Sequence, residues 1–323
     1  MDWSLVADNL LSPPILFFVL GMTAGLLRSD LAIPEAVTKL LSLYLLWAIG
    51  ITGGIKIREA GFDPETLTSL GLAIGLAIVV PIYVFALLRK KLDTDNAAAL
   101  CAVYGSVSAV TFLTASAFLQ RSGIEYGGHM VAALALMESP AILIAVMFSR
   151  SAHAKERGTL PSFGESLREA ALNGPVVLLT GSMLIGAVVG QRGHELLKPL
   201  YVDLFQGVLT FFLLELGLVA ARRWRVLKVV GWQMIAFAIV VPLINAAMAM
   251  SLAKLFRLSL PNAYLLTVLA ASASYIAAPA AIRQAIPRAS AGLYIPLALA
   301  VTFPFNIAIG LPLYWVVASW LWR

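Results

Sequence analysis

The chain has 323 residues, 60% hydrophobic and only 12% charged, with a mean hydropathy of +0.90. Soluble domains carry roughly 25% charged residues, so a water-soluble enzyme or nucleic-acid-binding domain is excluded. The net charge of +6 needs only basic loops on one membrane face, and a single cysteine, Cys101, rules out an intrachain disulfide.

Apolar runs of 18 or more residues recur along the chain, each long enough to cross a hydrocarbon layer of ~30 Å. The expected fold is an all-α polytopic membrane protein, with the lipid bilayer supplying the burial. The first residues, "MDWSLVADNLL", are acidic rather than basic, so they do not read as a cleavable signal peptide. Ten spans follow in order: 13–28, 34–55, 66–89, 96–120, 127–149, 172–190, 200–221, 229–255, 261–285 and 291–320. Lysine and arginine orient them. With alternating spans, 15 of these residues, including Lys39, Lys90, Arg157 and Arg222, fall on one side. The other 8, including Lys56, Arg121, Lys254 and Arg257, fall opposite. The richer side is expected to be cytoplasmic and both termini outside. The closing "YWVVASWLWR" fits an aromatic belt.

The longest polar segment, 150–171, is expected to be a cytoplasmic linker. Its "SFGE" places Ser162 and Glu165 in capping-box spacing, which predicts a short helix lying on the inner interface.

The sequence also repeats itself. "AIVVPI" at 77–82 matches "AIVVPL" at 238–243, and Pro14, Met22 and Gly25 match Pro175, Met183 and Gly186 at the same offset. "GSVSA" at 105–109 matches "ASASY" at 271–275, and Pro140 matches Pro304. Two five-helix repeats are expected, 1–149 and 172–323. Five is odd, so the second enters from the opposite side and the topology is inverted, as in many secondary transporters. The pairs Gly21/Gly25, Gly50/Gly54, Gly71/Gly75 and Gly186/Gly190 have the small-xxx-small spacing that lets helices pack closely.

Spans 4 and 9 break their own apolar pattern. "AVYGSVSAVTFLTAS" holds Gly105, Ser106, Ser108, Thr111 and Ser116; "ASASYIAAPA" holds Ser272, Ser274, Tyr275 and Pro279. A broken helix frees N–H groups at one end and carbonyls at the other, which are costly in lipid unless paired. Freed N–H groups suit an anion; carbonyls and hydroxyls suit a hard cation such as sodium. Such hydroxyls also commonly bond back to the preceding turn, and both readings apply to the individual residues. Two carboxylates lie inside spans, Glu138 before Pro140 and Glu215 before Gly217. An intramembrane carboxylate is a functional candidate: either one could ligate a cation or carry a proton, and Glu215 could instead pair with an arginine. Arg283 either faces an anion route or marks a half-helix end. No P-loop, HExxH or clustered cysteines occur, and His129, His153 and His194 lack metal-ligand spacing. No enzyme and no organic cofactor is expected; sodium is the expected coupling ion.

These residues carry a resemblance. "SPPILFFVLGM", "LAIPEAVTKLLSLYLLWAIGITGGIKIRE", "YGSVSAVTFLTA", "MESPAILIAVM", "LAASASYIAAPAAIRQAIP" and "VTFPFNIAIGLPLY" together resemble the sodium-dependent bicarbonate transporter family of cyanobacteria and other bacteria. The resemblance runs over essentially the whole chain. It implies sodium-coupled bicarbonate uptake at the bacterial inner membrane, inverted five-helix repeats, a homotrimer and an elevator motion. Spans 3–5 and 8–10 would form the moving core, and spans 1, 2, 6 and 7 the scaffold. The family's anion and sodium sites fall here on Gly105, Ser106, Ser108, Thr111, Ser272 and Ser274. Glu138 stands where cyanobacterial members carry an aspartate, and Glu138, Ser108 and Ser274 are the expected sodium ligands. Some members are regulated by a small nucleotide-binding trimer of the PII type. Two departures stand out. Tyr275 replaces an acidic residue and Ala278 a proline of the "SSSDISGPP"-like pattern, and the 150–171 loop is short, which weighs against the PII-like partner. Bicarbonate leads as substrate, with another small monocarboxylate or inorganic anion behind it. A sodium/proton antiporter of similar fold is the alternative class, followed by a non-transporting sensor.

Overall fold

A computed structural model describes residues 11–61, 63–152, 174–224 and 230–323. Most of the 150–171 linker, including the capping-box segment, lies outside the described residues. The first half contains α1 (Pro13–Leu26), α2 (Glu35–Ala60), α3 (Pro64–Leu88), α4 (Thr94–Gly105), α5 (Ala109–Arg121), α6 (His129–Glu138) and α7 (Pro140–Ala152). The second contains α8 (Gly174–Lys198), α9 (Phe205–Trp224), α10 (Trp232–Leu255), α11 (Leu260–Ala270), α12 (Ala277–Ala285) and α13 (Ala291–Leu321). No strand occurs among the described residues.

Seven helical runs are long and apolar enough to cross a membrane, and α1 and α11 are shorter apolar helices. Large apolar side chains such as Leu184, Val188 and Leu255 face outward, as they must where the surroundings are hydrocarbon. The protein is therefore built as a polytopic helical membrane protein.

Local sequence sets the helix starts. Asp63 accepts the Thr66 N–H at 2.7 Å and precedes Pro64, so α3 begins capped with a proline in its first turn. The hydrogen bonds from Thr66 hold the Asp63 carboxyl below its ordinary pKa. Asp93 caps α4 through the Asn96 N–H at 2.9 Å. The helix expected to end at 190 does break there; the segment after it, instead of a loop, is a second short helix to Lys198 that winds as a π turn over Pro199–Asp203. The interruption is one residue, Gly190, at φ 54 and ψ −144; glycine reaches that conformation without a Cβ clash. His194 Nδ1 lies 2.6 Å from the Tyr201 hydroxyl and ties the continuation to the turn.

Two close helix pairs form the outer layer. α1 lies along α9, with Gly21 against the backbone of Leu214 and Gly217 against that of Phe18. α2 lies along α8, with Gly54 against Met183 and Gly186 against Ile51. The glycine spacing of these helices does serve close packing. Gly71 and Gly75 of α3 differ: a Cβ on either would meet nothing within 4 Å. The same spacing there sits on an open face.

Behind these pairs lies a core dominated by α4 and α5, whose residues 97–119 are almost all buried. α13 closes it and winds as π-helix over Leu297–Thr302 and Asn306–Gly310, on either side of Pro304. Proline disturbs the helical ladder, and the irregular turns put Thr302 and Asn306 to use. Thr302 Oγ1 donates to the Ala238 carbonyl at 2.7 Å, and Asn306 Nδ2 to the Ala271 carbonyl at 2.9 Å.

Candidate functional site

The two interrupted helices meet at their interruptions. Between α4 and α5 the chain is non-helical at Ser106–Ser108; between α11 and α12 it is non-helical from Ala271 to Ile276. The Ser108 N–H donates to Ser272 Oγ at 2.8 Å. The Ser274 N–H donates to the Val103 carbonyl at 2.8 Å. Each break thus satisfies a backbone group freed by the other, which is the condition for irregular backbone inside a membrane protein.

Each break also caps the half-helix that follows it. Ser108 Oγ accepts the Thr111 N–H at 3.2 Å and the Thr111 hydroxyl at 3.0 Å. Ser274 Oγ accepts the Ala278 N–H at 3.1 Å. These bonds leave the first N–H groups of α5 and α12 turned toward one place. The positive ends of two half-helices converge there.

That place is a pocket of about 40 Å³, walled by Ser108, Val110, Glu138, Ser274, Tyr275 and Ala277 on one side. Ser42, Leu45 and Leu46 of α2 and Phe212 of α9 close the other side. It has room for a few water-sized groups. Glu138 ends α6, where Ser139 and Pro140 interrupt the run into α7. The Ser106 hydroxyl donates to the Glu138 carbonyl at 2.9 Å, so the first break holds the backbone that carries the carboxylate. Glu138 is half-buried. Tyr275 is 9% exposed; its ring packs edge-on to Phe303 with centroids 5.2 Å apart, and its hydroxyl has no hydrogen-bond partner.

The eight residues singled out from the sequence therefore separate. Ser108, Glu138, Ser274 and Tyr275 line the pocket. Ser106, Thr111 and Ser272 lie behind it and hold its walls through the hydrogen bonds above. Gly105 packs where a Cβ would stand 2.8 Å from Pro81 and 2.9 Å from Ala141. Ser116 takes the plainer role, donating to the Leu113 carbonyl at 2.9 Å. Glu215 lies in α9, away from the pocket wall, and one of its carboxylate oxygens is buried without a partner. Arg283 is exposed in the last turn of α12, the end that favours a cation. No group of three or more His, Cys, Asp or Glu suited to a transition metal occurs among the described residues.

Sequence reasoning missed the α2 and α9 walls. Leu45, Leu46 and Phe212 carry no polar signal that would mark them, and Ser42 is a lone serine in an apolar helix with nothing in the local pattern to set it apart.

Apolar helices that break in pairs around a polar pocket are how membrane transporters place a site within the bilayer. The chain belongs to the Na+-dependent bicarbonate transporter superfamily, whose sequence model matches residues 13–319. That family indicates a carrier of bicarbonate and sodium rather than an enzyme. No curated protein matches the chain.

Proposed function

We propose that the protein imports bicarbonate by sodium symport, with the anion and the cation held together at the crossing of the two broken helices. The observation that carries this reading is the pocket where two half-helix N-termini and the Glu138 carboxylate meet. The N–H ends attract the anion. Ser108 reinforces them: its oxygen accepts twice from Thr111, which leaves its proton to be shared between the neighbouring Tyr275 hydroxyl and the anion. Ser108 therefore suits the anion better than the sodium ion for which its type first recommends it. Ser274 keeps an acceptor position, and Glu138 supplies two oxygens and a negative charge. These are the sodium ligands of the proposal. A bound sodium ion and a bound anion each lower the cost of the other's charge, which is the physical basis of symport.

The same reading gives the chain ten crossings in two inverted five-helix repeats, 1–149 and 172–323, joined by a cytoplasmic linker at 150–171. Two features support it. The α1–α9 and α2–α8 pairs are the two that an inverted repeat would exchange. The two breaks, 166 residues apart in sequence, bond to one another. Elevator-type alternating access fits the walls of the pocket. Its polar side belongs to the helices assigned to the moving core, and its largely apolar side, Leu45, Leu46 and Phe212 with Ser42, to α2 and α9 of the scaffold. A slide of one against the other would expose the pocket on alternate faces. The protein would work as a homotrimer in the bacterial inner membrane, with both termini outside.

Reconstitution in liposomes tests this. An inward sodium gradient should drive uptake of labelled bicarbonate, and a potassium gradient should not. Sodium-driven proton movement without bicarbonate would favour the antiporter class. Ligand binding with no flux would favour a sensor.

A further inference from the structure

A second cavity, of about 370 Å³, lies further along α2, α5 and α9, helices that also wall the first; it is lined by Thr52, Lys56, Gln120, Glu125, Tyr201 and Phe205 among others. On α2 the pocket uses Ser42, Leu45 and Leu46, and the cavity uses Ile49, Thr52 and Lys56. These positions recur at three- and four-residue steps and so share one helix face. α5 contributes Leu113 to the pocket and Gln120 to the cavity; α9 contributes Phe212 and Phe205. Along these helices the residues between the two linings, or at their edges, include the buried apolar Ile49, Leu113, Leu209 and Phe212.

We infer that this cavity is an antechamber that holds a small hydrated oxyanion at Lys56 before it passes to the helix crossing. The inference rests on the transport reading above and adds a site to it. Lys56 is half-buried. Its ammonium lies 4.2 Å above the Tyr126 ring and 3.4 Å from the Tyr126 carbonyl. Neither contact neutralises its charge; the Glu125 and Glu59 carboxylates act on it through space, but neither forms a contact ion pair with it among the described residues. An ammonium is a compact, strongly hydrated charge, which suits an oxyanion that keeps part of its water. The space is several times that of the inner pocket and accommodates such a shell. Glu125 and Gln120 stand on the same wall and are able to accept from the hydroxyl of a bicarbonate or from its water. Glu125 and Glu59 also offset the attraction of Lys56, so the anion is held weakly enough to move on.

The test uses Thr52→Cys in the full protein in liposomes. Cys101 is fully buried, so the introduced thiol is the reporter. Lys56 should make an anionic thiosulfonate reagent react faster than a cationic one. Lys56→Gln should cut that preference roughly tenfold, the scale of losing one nearby unit charge in a partly dehydrated site. Bicarbonate should slow labelling when Lys56 is present and not when it is glutamine. In uptake assays without the cysteine, Lys56→Gln should raise the KM for bicarbonate by roughly fivefold or more and leave the saturating rate nearly unchanged; Lys56→Arg should restore it. A reagent preference indifferent to Lys56, or an unchanged KM, overturns the antechamber. If the protein takes up no bicarbonate at all, the transport reading falls, and the labelling result still decides whether the cavity binds anions.

Discussion

The Ser108 N–H and the Ser272 hydroxyl are 2.8 Å apart, although 164 residues separate them in sequence. The bond joins two helix breaks that neither half of the chain could sustain alone. Ser272 also donates to the Leu269 carbonyl at 2.8 Å, so its hydroxyl sits between its own helix end and the partner break. Ser272→Ala leaves a buried N–H without an acceptor, at a cost of about 1–3 kcal/mol. The expected result is a lower melting temperature together with a raised KM, measured on the purified protein and in uptake assays. A variant as stable and as active as the parent would show that the breaks do not depend on one another.

Ser106 acts at one remove. Its hydroxyl fixes the Glu138 carbonyl and does not touch the pocket. Ser106→Ala should therefore weaken sodium more than bicarbonate, because it loosens the backbone that aims the carboxylate. Half-saturation for sodium should rise severalfold, the equivalent of one neutral hydrogen bond of about 0.5–1.5 kcal/mol, and Ser106→Thr should recover part of it. Equal shifts for both ions would contradict this division.

Tyr275 separates binding from stability. Its buried hydroxyl makes no well-formed hydrogen bond and has only the Ser108 side chain beside it, so little in the fold is lost with it. Tyr275→Phe should keep or slightly raise the melting temperature and reduce ligand affinity several-fold, since a site group that would meet the ligand is removed. Tyr275→Asp should add a fixed charge beside the site and strengthen sodium binding. A loss of stability in Tyr275→Phe with unchanged affinity would return the residue to a packing role against Phe303.

The glycines make a contrasting pair. In Gly54→Ala the new methyl would collide with the Met183 backbone, whereas in Gly71→Ala it would meet open space. Overpacking costs typically about 1–3 kcal/mol, and exchanging glycine for alanine in a helix gains about 1 kcal/mol. Thermal unfolding should show Gly54→Ala destabilised and Gly71→Ala not. Comparable loss in both would mean that the α3 face is covered in the assembled protein.

The contrast also shows what the sequence makes legible. The breaks are visible because serine, glycine and proline interrupt apolar runs, and their pairing is visible because Gly105–Ala109 and Ala271–Tyr275 recur at matched positions. Glu138 is visible because a carboxylate within an apolar span is rare. Local pattern cannot say which hydroxyl faces the ligand and which braces the wall, since Ser106 and Ser108 differ only in what lies across from them. It cannot distinguish Gly54 from Gly71, whose partners are set by tertiary packing. The break at Gly190 is where the sequence puts the end of that span, but the short helix that follows it to Lys198 is hidden, because its charged residues read as loop.

Glu138 is the only carboxylate on the pocket wall among the described residues, so coupling to sodium should depend on it. The decisive measurement is the sodium dependence of bicarbonate uptake by the protein and by Glu138→Gln in the same liposomes. Uptake by the parent should rise and saturate with sodium, and Glu138→Gln should abolish the stimulation while remaining folded and inserted. A Glu138→Gln protein that retains the parent's sodium affinity and Hill slope would contradict the account.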